Sequence, residues 1–107
     1  MNIQISSTTL TYEDKKAIYD EFVKLVREAN ISFEERHVEK KKELLCSWST
    51  IYLPEYDFKV EIVNPCEYCF ANGSLKAWPE AAAKNERRYC LPTSLEELIE
   101  YVPKLQS

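Results

Sequence analysis

Glycine is nearly missing from this chain: there is one, Gly73, in 107 residues, where average usage gives about seven. Loops that cradle phosphates need several glycines, so that the backbone approaches its ligand without a Cβ in the way. The P-loop, the dinucleotide-binding fingerprint and the nucleophile elbow are therefore all absent, and with them the usual routes to nucleotide chemistry. Histidine is as scarce. His37 stands alone among Glu34, Glu35, Arg36, Glu39 and Lys40, a setting that reads as surface rather than as the base of a nucleophilic pair. No apolar run approaches the ~18 residues of a membrane span. The opening Met1-Asn-Ile-Gln-Ile has no basic region followed by an apolar one, so a cytoplasmic location is expected. The sequons at Asn30 and Asn72 then stay unmodified.

Clustered positive charge is also lacking. The chain carries 14 basic and 18 acidic residues, a net charge of −4. Its one basic run, Lys40-Lys41-Lys42, is interleaved with Glu39 and Glu43. Phosphate backbones are bound through concentrated Lys and Arg, so direct nucleic-acid binding is disfavoured. A mild acidic excess suits a protein that meets a basic partner by electrostatic steering.

What the chain has is a globular composition, with 45% hydrophobic and 30% charged residues, seven Tyr, four Phe and two Trp. This fits one compact domain over residues 1–107. Thr11 with Asp14 forms a capping-box pattern ahead of Ile18, Phe22, Leu25, Val26 and Ala29, whose spacing predicts a helix over about 12–29. Residues 30–43 are ambiguous: Ile31 and Phe33 alternate, Ser32 with Glu35 resembles a second capping box, and the charged remainder reads as a solvated connection or an exposed helix. Alternation predicts a strand over 44–53, with Leu44, Cys46, Trp48, Thr50 and Tyr52 on one face and Leu45, Ile51 and Leu53 on the other. A turn at 54–57 then leads to a strand through Phe58, Val60 and Ile62. Asn72-Gly73 is a hairpin signal that pairs 67–71 with 74–78. A short strand at 1–5, a helix begun by Pro79, a strand over 87–91 and a final helix through Leu95, Leu98, Ile99 and Val102, stopped by Pro103, complete the reading. The expected fold is α+β: an antiparallel sheet of about four or five strands with an N-terminal and a C-terminal helix packed on it. A ferredoxin-like order with an inserted hairpin fits this succession.

Four cysteines, Cys46, Cys66, Cys69 and Cys90, carry the chemistry that remains open. With His37 they are candidate zinc ligands, although a closed structural site commonly uses two closely spaced pairs and only Cys66-Glu-Tyr-Cys69 is one. Glu67 within that pair opposes thiolate formation, against a redox role. The competing reading is four free thiols and no cofactor. Glu55, Tyr56 and Asp57 at a turn, and Trp78 at a strand end, are candidate partner-binding residues, because exposed aromatics framed by carboxylates suit protein interfaces.

In size, acidity and lack of catalytic motifs, the chain is similar to small bacterial immunity proteins and phage-encoded inhibitors of host enzymes, in bulk properties rather than in shared residues. The leading expectation is a non-catalytic cytoplasmic protein of inhibitor or immunity type that binds another protein. A zinc-stabilised domain inside a larger complex is the alternative, and a thiol-dependent enzyme is third.

Overall fold

The computed structural model describes residues 10–39, 47–65, 72–78 and 91–106. Helix α1 spans Tyr12–Glu28. It opens on the capping box read from the sequence: the Asp14 amide donates to Thr11 Oγ1 at 3.1 Å, and the Thr11 amide donates to Asp14 Oδ2 at 3.2 Å. Glu13 and Asp14 in its first turn and Arg27 in its last complement the helix dipole. It closes because Asn30 adopts the left-handed conformation, φ 59°. The Asn30 amide then bonds Arg27 O and the Ile31 amide bonds Val26 O, satisfying carbonyls that a helix end leaves open. Phe22 and Val26 of the expected stripe are fully buried, and Tyr19 and Val23 join them in the core.

Four antiparallel strands follow: β1, Glu34–Glu39; β2, Ser47–Leu53; β3, Phe58–Val63; and β4, Ser74–Trp78. Their spatial order is β1-β2-β3-β4. The described strands are thus a meander, whereas a ferredoxin-like order would place strands out of sequence. The charged segment after Phe33 proves to be the outermost of the described strands on its side of the sheet. Its pairing with β2 supplies the ladder that propensity alone did not predict, and charged side chains are a common way to keep a sheet edge from pairing with other chains. A four-residue turn fixes the β2–β3 register, with the Tyr56 amide bonded to Leu53 O, the Asp57 amide to Pro54 O, and Asp57 at φ 51°. Segment 74–78 is a strand as expected, and its described partner is β3. The pairing expected for 67–71, the strand at 1–5, the helix after Pro79 and all but the last residue of the strand expected over 87–91 lie outside the described residues; Leu91 is exposed and in no strand.

The C-terminal helix, α2, is shorter than its apolar spacing suggests, spanning Leu95–Ile99. Pro103 has no amide to offer the Ile99 carbonyl and disfavours helical geometry at Val102. Ile99 O is instead met by the Val102 amide at 2.9 Å and by Gln106 Nε2 at 3.0 Å. Pro103 then opens a 3-10 helix, Pro103–Gln106.

Both helices lie on one side of the sheet, α1 against β3 and β4 and α2 against α1. Ile51, Leu53, Phe58, Val60, Ile62, Leu75 and Ala77 face them from the sheet, with Leu98 and Val102 completing the core. Phe58 meets Phe22 edge to face, ring centroids 6.0 Å apart, and stacks on Tyr101 at 5.2 Å. Each large side chain fully buried here contributes roughly 1.5–3 kcal/mol of transfer free energy. Among the described residues, no helix is long and apolar enough to cross a membrane.

Candidate functional site

Strand geometry sends alternate side chains to opposite faces. With Ile51 and Leu53 committed to the helices, Trp48, Thr50 and Tyr52 must point the other way. The strand register arranges that outer face in rows. One row runs Glu34, Tyr52, Lys59, Trp78; the next runs Arg36, Thr50, Glu61, Lys76; the third runs Val38, Trp48, Val63, Ser74. Neither described helix packs on this face. Val63 and Ser74 are buried at its far corner, which leaves the open part over β1, β2 and the near side of β3. There the side chains enclose a groove of about 650 Å³, lined by Glu34, Arg36, Val38, Trp48, Thr50, Tyr52, Asp57, Lys59 and Glu61.

The groove has a different character at each end. Val38 and Trp48 make one end apolar. At the other, the Tyr52 hydroxyl donates to Asp57 Oδ1 at 3.2 Å. That hydrogen bond, with the charges of Asp57 and Glu34 adding to it, holds the Tyr52 phenol above its ordinary range. Lys59 is turned toward β4, its ammonium 5.6 Å from the Trp78 ring centroid, within reach of a cation–π contact. Between the ends sits Glu61. Burial pushes its carboxyl above the usual carboxylate range, while Lys76 and Lys59 pull it down.

Of the residues expected to bind a partner, the structure brings Asp57 and Trp78 to this face. Glu55 is exposed at the tip of the β2–β3 turn. Tyr56 is half-buried and its ring packs against the core, so it closes the end of the sheet. The sequence reading missed Trp48, Tyr52, Arg36, Lys59 and Glu61 as a group. The available signal was the short turn at 54–57: pairing Leu53 with Phe58 across it places both on one face and forces Trp48 and Tyr52 onto the opposite one.

His37 projects from the edge strand, exposed, with Nδ1 2.9 Å from Ser49 Oγ across the β1–β2 ladder. Among the described residues, no three His, Cys, Asp or Glu side chains gather as a metal site. Cys46, Cys66, Cys69 and Cys90 all lie outside the described residues. A second, shallower notch lies between α1 and β1, lined by Tyr19, Asp20, Val23, Lys24, Arg27, Glu28 and Glu35. Arg27 spans it to Glu35 at 2.6 Å and lies over the Phe33 ring. The Tyr19 hydroxyl is buried there without a hydrogen-bond partner among the described residues, and burial, followed by the charges of Glu35 and Asp20, pushes its phenol far up. No protein-family model, curated protein or solved structure matches the chain.

Proposed function

We propose that the chain is a non-catalytic, cytoplasmic protein-binding domain of inhibitor or immunity type, with the outer face of its sheet as the interaction surface. The observation that carries this reading is the groove over β1–β3, which sets Trp48 and Tyr52 among charged side chains on a face free of the described helices. Trp, Tyr and Arg dominate interface energetics because each combines a large contact area with a polar handle. The groove's described hydroxyls belong to Thr50 and Tyr52, and no histidine or cysteine is among its described lining residues. That chemistry suits recognition better than acid–base or nucleophilic catalysis.

The test is retention of a protein partner by the immobilised chain. Thr50→Arg, which fills the groove floor without touching the core, is expected to abolish retention while leaving the thermal midpoint nearly unchanged. Trp48→Ala should weaken binding by about 2 kcal/mol if that ring is an anchor. Neutralising Glu55 and Asp57 should mainly slow association, and less so at high salt. A partner that binds the Thr50→Arg and Trp48→Ala variants as well as the parent chain would sink the reading.

A further inference from the structure

We infer that the outer-face groove accepts an extended segment of a protein partner bearing an apolar side chain and, four residues along, a basic one. The inference rests on the proposed interaction surface and names the chemistry of its occupant. The row holding Val38 and Trp48 and the row holding Glu34 and Tyr52 are four strand residues apart, about 13 Å at the usual rise of a strand. An extended segment lying along β2 therefore places its first and fifth side chains over the two ends together.

Each end selects a different side chain. The Trp48 ring and the Val38 methyl groups offer apolar area and no charge. Among the described residues the far end is acidic: Glu34 and Asp57 both bear on the Tyr52 hydroxyl, Glu55 adjoins on the turn, and Lys59, in the same row, is drawn aside over Trp78. An incoming guanidinium or ammonium is attracted there, and a carboxylate is repelled. The middle row serves the backbone of the segment. Arg36 donates, Thr50 both donates and accepts, and Glu61 accepts, so a peptide crossing them meets hydrogen-bonding groups of both kinds. Glu61 is half-buried and lines the groove with these side chains.

The experiment is a titration of the full isotope-labelled chain, followed by amide and indole NMR shifts. The probe is the nonapeptide Ser-Thr-Leu-Thr-Ser-Thr-Arg-Thr-Ser. Two controls accompany it, one with Glu in place of Arg and one with Leu and Arg only two residues apart. Saturable shifts are expected at Val38, Trp48, Thr50, Tyr52 and Glu61 with the first peptide, and at least about tenfold weaker binding of both controls. Glu34→Lys together with Asp57→Asn should lower affinity for the Arg peptide about tenfold and raise it for the Glu peptide, at an unchanged thermal midpoint. Asn tolerates the left-handed turn position, so the second change spares the hairpin. Equal binding of the Arg and Glu peptides, shifts centred outside the groove, or no saturable shift with any peptide at millimolar concentration would each overturn the inference. A native partner lost on Thr50→Arg but contacting the groove through an acidic segment would overturn it and leave the proposed function standing. A partner indifferent to Thr50→Arg would remove the proposed function itself.

Discussion

Replacing the chain's one glycine with alanine is expected to be among its most damaging single changes, although only a methyl group is added. Gly73 has φ 69°, where an L-residue costs roughly 1–2 kcal/mol. A Cβ built there would stand 2.7 Å from Val63 O and 2.7 Å from Tyr12 Cδ1, with Tyr12 Cε1 at 3.4 Å. Neither neighbour yields freely. Val63 is held in the β3–β4 ladder opposite Ser74, and the Tyr12 hydroxyl is tied to Asn64, which is tied in turn to Ser47. Relieving such contacts by backbone shifts typically costs a further ~1–3 kcal/mol, for about 2–5 kcal/mol in all. In a domain of this size that lowers the thermal midpoint by about 10 °C or more. Urea unfolding followed by Trp fluorescence should show a lower midpoint with an unchanged slope. Adding Tyr12→Ala to Gly73→Ala removes the ring but not the Val63 carbonyl, so the double variant should stay well below wild type. A Gly73→Ala protein within about 0.5 kcal/mol of the parent, the range of an ordinary surface change, would refute the reasoning.

Thr11→Ala removes the acceptor for the Asp14 amide and should cost about 1 kcal/mol in equilibrium unfolding. Tyr19→Phe deletes a buried hydroxyl that has no partner among the described residues, and is expected to be neutral or stabilising by up to about 1–2 kcal/mol. Because the Tyr19 phenol is raised in the folded state, the unfolded chain ionises first and wild-type stability falls as pH rises beyond the ordinary phenol range; the Phe variant should fall less in an alkaline unfolding series. For Glu61 the raised carboxyl favours its protonated form in the fold, so its contribution is present at acid pH and is lost as pH rises through the folded pKa. Glu61→Gln should therefore raise the midpoint at neutral pH, with the gain vanishing below the carboxylate range. Neighbours on β2 should part company: Ile51→Thr buries an unpartnered hydroxyl and should cost about 2–4 kcal/mol, whereas Thr50→Val should change stability by less than about 0.5 kcal/mol in the same assay.

Elements defined by local chemistry were legible in the sequence. The capping box and apolar spacing located α1 to within a residue, and period-two alternation located β2 and β3, because in each case the side chains that bury themselves also set the backbone period. The edge strand was not legible. Glu34 to Glu39 carries one apolar residue, Val38, and only its ladder with β2 makes it a strand. The end of α2 was misjudged because apolar spacing continues through Val102, while the missing amide of Pro103 acts a turn earlier, at Ile99. The candidate groove is a property of register. Trp48, Tyr52 and Glu61 are scattered along the chain and meet only when the turn at 54–57 sets β2 against β3, so no single stretch announces them.

That same register divides the work of the sheet between its faces. The helix-facing side spends its positions on Ile51, Leu53, Phe58, Val60, Ile62, Leu75 and Ala77, all buried, and a polar change there leaves a group without water or partner. On the outer side, Arg36, Thr50, Tyr52, Lys59 and Glu61 retain contact with solvent, and their substitution disturbs little of what holds the chain together. The edge strand extends this division, since Glu35 and His37 occupy the helix-facing side of β1 yet remain exposed. Apolar residues at those two positions would prolong the core face to the outermost described strand and favour association with other chains. Charge at those positions discourages such association, while on the outer face the groove sets Trp48 and Tyr52 beside charged side chains. On the proposed reading of the outer face, changing Trp48 or Thr50 is expected to cost binding and to leave stability nearly unchanged.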